Sequence, residues 1–218
     1  MKMNISENLK ELKKELPDNV SLVAVTKTKP IGDIMEAYNA GHRVFGENKV
    51  QEMESKWQEM PKDIEWHMIG HVQRNKVKYM APFVSLIHAV DSLRLLREIN
   101  KEARKNDRVI NCLLQIKIAE EDSKFGMDKT EALQLLDSND FKKFENIKII
   151  GLMGMATFTD DEKQVSNEFR SLKTLFDSIK EKHNMPVLSM GMSGDYKLAI
   201  KNGSNMVRVG SAIFGERG

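Results

Sequence analysis

Leu22-Val23-Ala24-Val25-Thr26-Lys27-Thr28-Lys29-Pro30 carries the chain from an apolar run straight into a helix-start signal. The run at 22–26 reads as a buried strand, because a short continuous apolar stretch bounded by turn residues suits a strand covered on both faces. Pro30 has no N–H to give to a ladder, and its fixed φ fits the first turn of a helix. The unit is therefore strand, tight junction, helix. Seven more apolar runs follow, at 43–46, 64–70, 85–90, 110–118, 147–155, 187–192 and 206–210. Polar stretches with helical periodicity lie between them. The clearest is 160–183, where Val165, Phe169, Leu172, Leu175, Phe176 and Ile179 recur at three- and four-residue steps. Strands alternating with helices require crossovers and hence a parallel sheet. Eight of them predict a (β/α)8 TIM barrel in the α/β class, with a doubly wound open sheet as the alternative.

The ends of the chain fit that reading. Ile5, Leu9, Leu12 and Leu16 share one helical face ahead of the first strand, while only residues 211–218 follow the eighth run. That remnant is too short for a full outer helix, and the leading helix is expected to cover the gap. The 218 residues suit one barrel domain spanning 1–218, long enough for a sizeable core. No repeat or linker-like tract marks a second domain. Thirty-four basic residues against 32 acidic ones leave a formal charge of +2, which gives no electrostatic footprint for nucleic acid or anionic lipid. Cys112, the only cysteine, lies inside the run at 110–118 and reads as a small core residue rather than half of a disulfide. The N-terminus leads into an amphipathic helix instead of an apolar signal segment, and no run approaches the roughly 20 residues that span a bilayer. A soluble, cytoplasmic protein is expected.

Polar, small and charged residues gather where the strands end, the face on which a barrel builds its site. Lys27 ends the first strand. A lysine there either points to solvent or, when burial lowers its pKa, offers an uncharged amine that condenses with an aldehyde to a Schiff base. Ser193-Gly194-Asp195 opens a helix through Leu198, Ala199 and Ile200, and Gly210-Ser211 stands at the next strand end. Each serine alone reads as an N-cap. At adjacent strands they favour a phosphate held by free backbone N–H groups, a recurrent feature of the last two barrel loops. Arg208 interrupts an apolar strand and needs a partner there, either a carboxylate or a ligand acceptor. His67 and His71 share the spacing of a metalloprotease helix, but Met68 stands where that motif has its glutamate, and no third ligand is evident. No metal is expected, and His67 reads as a hydrogen-bonding residue of the barrel mouth. Asp91-Ser92 reads as the cap of a helix starting at Leu93. Lys124, in Ser123-Lys124-Phe125-Gly126, is either a second lysine beside the pocket or part of a turn.

Taken in order, Ala24-Val25-Thr26-Lys27-Thr28-Lys29-Pro30, Phe45-Gly46-Glu47-Asn48, Trp66-His67-Met68-Ile69-Gly70-His71-Val72-Gln73, Ser123-Lys124-Phe125-Gly126-Met127, Gly151-Leu152-Met153, Leu188-Ser189-Met190-Gly191-Met192-Ser193-Gly194-Asp195 and Val207-Arg208-Val209-Gly210 span nearly the whole chain. In this order and spacing they closely resemble the pyridoxal phosphate homeostasis proteins, the YggS/PROSC family. The resemblance implies a barrel like the N-terminal domain of alanine racemase, with Lys27 carrying pyridoxal 5'-phosphate as an internal aldimine. It further implies the phosphate at Ser193, Gly194, Gly210 and Ser211, Arg208 facing the pyridine nitrogen, and Asn48 close to the cofactor. Lys29, His67, Lys124 and Met192 are further pocket or transfer positions.

An arginine only donates, so the ring nitrogen it faces stays unprotonated and the cofactor is a weaker electron sink. The tyrosines Tyr38, Tyr79 and Tyr196 sit in no motif resembling the one that supplies alanine racemase with its second-face acid/base. The expected function is pyridoxal phosphate homeostasis, as a carrier or buffer with no catalytic residues, the alternative being a weak pyridoxal-phosphate-dependent amino-acid racemase. Apo forms of pyridoxal-phosphate enzymes are the implied recipients, and a solitary barrel of this size points to a monomer. Two departures from the family pattern bear on transfer. Arg74 replaces a small residue, and Arg217 is the only basic residue after the final strand motif.

Overall fold

The computed structural model describes residues 4–120 and 125–215. Its eight strands are β1 Ser21–Val25, β2 Val44–Glu47, β3 Glu65–Met68, β4 Leu86–Val90, β5 Ile110–Gln115, β6 Ile147–Met153, β7 Val187–Met192 and β8 Met206–Val209. They close in sequence order into a barrel. Every neighbouring pair is parallel, and β8 returns to β1 with Ser21 opposite Met206 and Val23 opposite Arg208. The open-sheet alternative is thereby excluded. The α-helices are α1 Ile5–Glu15, α2 Ile31–Asn39, α3 Val50–Glu59, α4 Val77–Met80, α5 Leu93–Lys105, α6 Lys129–Asp137, α7 Glu162–His183, α8 Tyr196–Lys201 and α9 Ser211–Phe214. No described helix is long and apolar enough to cross a membrane.

Alternation along the strands separates two cores. Leu22 and Ala24 face the helices with Phe45, Trp66 and Leu188, while Val23 points inward with Leu86, Leu113 and Met153. Both faces of each strand are thus covered, which is why the runs read as continuous apolar stretches rather than alternating ones. The third, fifth and sixth runs extend past their strands, which end at Met68, Gln115 and Met153. Beyond those points the backbone leaves the ladder to build the mouth of the barrel. Pro30 stands one place ahead of α2, as its N-cap.

The leading helix closes the barrel bottom-up from its sequence. Asn4 caps it by accepting from the Glu7 N–H, and Ile5, Leu9 and Leu12 are buried. Asn8 Nδ2 donates to the Ile213 carbonyl of α9 at 3.1 Å, and Glu15 accepts from Tyr196 Oη at 3.0 Å and pairs with Lys197 at 2.9 Å. α1 therefore bridges α8 and the short α9, filling the place of a full eighth outer helix. Cys112 is buried in β5, and burial pushes its thiol pKa up, which keeps it protonated and inert.

Candidate functional site

A cavity of about 540 Å³ opens at the carboxyl ends of the strands. Lys27, Lys29, Asn48, Met192, Ser193, Gly194, Arg208, Gly210 and Ser211 all line it. Lys27, half-buried, stands two residues past the end of β1, and Asn48 directly follows β2. Gly70 holds that corner tight, since a Cβ at residue 70 would stand 2.4 Å from the Asn48 carbonyl oxygen. Lys29 turns toward the far wall, where Nζ donates to the carbonyls of Phe214 at 3.0 Å and Gly215 at 3.1 Å. Those are orphan carbonyls at the end of α9, where a cation is favoured.

The two loops expected to hold an anion are stitched to each other. Ser193 Oγ accepts from the Gly210 N–H at 3.1 Å, so the turns after β7 and β8 face the cavity as one unit. Asp195 lines the same wall, and its Oδ1 accepts from the Met192 N–H at 2.6 Å. Neither serine is an N-cap. Asp195 and Gly210 occupy those positions, and neither gives a side-chain cap bond.

Arg208 is almost wholly buried, and its partners are not carboxylates in hydrogen-bond contact. Nη1 donates to Ser189 Oγ at 2.6 Å and Nη2 to the Gly154 carbonyl at 3.1 Å. Burial lowers its pKa to about 10, with the Asp195 charge acting in the opposite direction, so at pH 7 the guanidinium is still a cation that can only donate. Behind it the polar line continues inward. Ser189 Oγ lies 3.1 Å from His88 Nδ1, and His88 Nε2 lies 3.1 Å from His67 Nδ1. Burial holds both imidazoles neutral. The His67 pKa falls to about 3, and His88 is lowered further by His67 and Arg208.

His67 therefore does not line the mouth. It is buried inside the barrel and is not among the residues lining the cavity, because its position on β3 points inward between Trp66 and Met68, which face the helices. His71 lies beyond the end of β3, pairs with Asp91 at 3.1 Å and stacks on Phe125. The two histidines thus have separate partners, and no group of three His, Cys, Asp or Glu side chains among the described residues is arranged to hold a metal. Ser92 caps α5 at Leu93 by accepting from the Leu95 N–H, as read. Lys124, Ser123 and Arg217 lie outside the described residues.

Two parts of the site escaped the sequence reading. One is the wall after β6, where Met155, Thr157, Phe158, Thr159 and Asp160 line the same cavity as Lys27. Glu168 anchors it, accepting from the Thr157 N–H and Oγ1 at 2.7 Å each. The detectable signal was a glutamate on the apolar side of α7. The other is an ionic group under Lys27, made by Glu47, Glu52 and Lys56. Its signal was a carboxylate closing the otherwise apolar β2.

Comparison with known proteins places the chain in a family. The family model described as "Alanine racemase, N-terminal domain" matches residues 2–218. The "Pyridoxal phosphate homeostasis protein" of Aquifex aeolicus is 39% identical over 199 residues, covering 90% of this chain and 86% of that protein. Among solved structures, PipY of Synechococcus elongatus without PLP superposes with a TM-score of 0.91 at 33% identity, covering 97% of this chain and 100% of that one. The same protein with PLP bound gives 0.87 at 32% identity over the same shares. An alanine racemase of Clostridium difficile, 14% identical, shares the fold at a TM-score of 0.80, with 98% of this chain matched to 57% of that one. The chain belongs to the alanine racemase N-terminal domain family, within its branch of pyridoxal phosphate homeostasis proteins.

Proposed function

We propose that this protein binds pyridoxal 5'-phosphate at Lys27 and acts as a carrier or buffer of that cofactor rather than as a catalyst. One observation carries the reading: a half-buried lysine, a buried guanidinium and two serine–glycine turns from adjacent strands line a single cavity. PipY, 32% identical, has PLP bound in its solved structure, which supports the same ligand here. The residues present fit it. When bound, the cofactor supplies an aldehyde that bonds reversibly to an amine.

Lys27 would be the residue that holds the group, since its amine could bond to that aldehyde with loss of water and be freed again by hydrolysis. The Ser193 and Ser211 hydroxyls and the Gly194 N–H would supply neutral donors for the phosphate, with the Gly210 N–H already given to Ser193 Oγ and Asp195 beside them weakening the hold on an anion. Arg208 offers N–H groups and no proton acceptor, and Ser189 and Gly154 fix its plane. A donor of this kind does little to draw electrons from a pyridine ring. The tyrosines are also committed elsewhere: Tyr38 Oη donates to Asp63 at 2.8 Å and Tyr196 Oη to Glu15 at 3.0 Å. Tyr79 is 39% exposed and does not line the cavity. These features favour holding and releasing the cofactor over removing an α-hydrogen.

Amino acids incubated in heavy water with cofactor-loaded protein provide the test. Proton NMR is expected to show α-hydrogen signals that persist while the loaded protein restores activity to an apo-enzyme in the same buffer. Lys27-dependent loss of those signals would make the protein a catalyst instead.

A further inference from the structure

The peptide groups on either side of Lys27 are both gripped by one pair of side chains on α3. Lys56 Nζ donates to the Thr26 carbonyl at 2.8 Å and to Glu52 Oε1 at 2.7 Å. The same Glu52 oxygen accepts from the Thr28 N–H at 2.6 Å. Carbonyl, ammonium, carboxylate and amide thus close a ring around the backbone of residue 27. The third Lys56 proton goes to Glu47 Oε1 at 2.7 Å, which also accepts from Thr26 Oγ1 at 2.5 Å. All three donors of the ammonium are then used.

This arrangement is expensive. Lys56 is 6% exposed, and Glu47 is fully buried with Oε2 lacking any partner. A buried ion pair often stabilises no better than apolar residues of the same volume, so fold stability does not account for it. Thr28 adds a second cost, since its φ of 64° is left-handed and strained for a β-branched residue. What the group does supply is a fixed direction for the chain at Lys27. It also ties the end of β1 to the end of β2, where Asn48 stands, and both residues line the cavity.

We infer that Glu52 and Lys56, braced by Glu47, are positioning residues that set the orientation of Lys27 toward its aldehyde partner. The inference rests on the pyridoxal 5'-phosphate reading above and deepens it. Glu52 and Lys56 stand four apart with the acid first, the favourable order on a helix, so the pair is pre-formed on α3.

The test titrates cofactor-free wild type, Glu52→Ala, Glu52→Gln and, as a control on the same helix, Glu59→Ala with pyridoxal 5'-phosphate. Affinity, visible circular dichroism at saturation and urea unfolding of the cofactor-free protein are recorded for each. Glu52→Ala is expected to bind about tenfold more weakly, the scale on which misplacing a reactive group acts. Its saturated dichroism should change while its urea midpoint stays close to wild type. Glu52→Gln, which keeps an acceptor for the Thr28 N–H but not the charge for Lys56, should fall between, and Glu59→Ala should match wild type. Wild-type affinity and dichroism in Glu52→Ala would overturn the inference. So would a loss of affinity that only follows lost stability, with dichroism unchanged. Should Glu52→Ala fail to fold, Glu52→Gln decides alone, and wild-type behaviour there overturns the inference. A wild type that borohydride cannot fix to the cofactor at Lys27 would instead sink the functional reading, and this inference with it.

Discussion

Arg208 carries a charge into the barrel interior, and its surroundings explain how that charge is tolerated. Ser189 and Gly154 accept from two of its N–H groups, and the serine passes the polar line to His88 and His67. Two neutral imidazoles and a hydroxyl cost less to bury than a matching carboxylate pair would, provided they bond to one another. That neutrality has a consequence for pH. Burial lowers the pKa of His42 to about 4, with the Lys13 charge adding to it, and that of His67 to about 3; His88 lies well below its usual value. An unfolded histidine takes up its proton near pH 6.5, whereas these three do not while folded. Stability that is complete above 6.5 is therefore lost as pH falls toward the folded values, by about 2 kcal/mol at pH 5 for each of His42 and His67, with His88 acting in the same direction. Burial raises the Glu47 pKa, which works the other way over the acidic end of that range, as one group against three. The urea midpoint is expected to drop steeply between pH 7 and pH 5. A flat midpoint over that interval would contradict neutral buried rings.

The strand ends carry the site because only they point several side chains at one volume while the sheet behind them stays rigid. β6 and β7 show how tightly that sheet is built. Gly151 on β6 pairs with Val187 on β7, and a Cβ at residue 151 would stand 1.8 Å from the Val187 carbonyl oxygen. Backbone cannot yield there as a flexible side chain would. Gly151→Ala is expected to cost about 3 kcal/mol or more, with loss of soluble protein, read by chemical unfolding. A change below 1 kcal/mol would show that the strands can part locally. At this scale the sequence was legible where one residue class carried the signal. Lys27, Asn48, Arg208, Ser193 and Ser211 stand within strands or no more than two residues past them, so locating the strands located them. His67 was misplaced because the inward and outward faces of a barrel strand are both buried, and an apolar run does not say which is which. The Glu47–Lys56–Glu52 group was legible only at Glu47, the carboxylate that closes β2. The group joins β1, β2 and α3 through space, and a lysine on a helix carries no mark of burial in its sequence.

The whole molecule depends on a closure that is not part of the eightfold repeat. α1 lies against α9 and holds α8 through Glu15, so the seam between the last strand and the first is covered by the start of the chain. Leu9 is 1% exposed there. Leu9→Ala is expected to lose about 2–4 kcal/mol in urea unfolding, whereas Lys10→Ala on the solvent side should change stability by less than about 0.5 kcal/mol. Equal effects would mean that the seam is closed by other contacts. This overall design was readable in advance, from eight apolar runs and a leading helix with one apolar face. The finer wall after β6 was not, because Thr157 and Phe158 reach the cavity from a loop with no periodicity. What the architecture delivers is a cavity in which Lys27 meets neutral donors and the fixed cations of Arg208 and Lys29. The most direct test is borohydride treatment of protein loaded with pyridoxal 5'-phosphate, followed by peptide mapping, with Lys27→Ala alongside. The prediction is a single reduced adduct on the peptide containing Lys27, absent from a Lys27→Ala variant that remains folded. An adduct confined to another lysine, or none at all in the wild type, would contradict it.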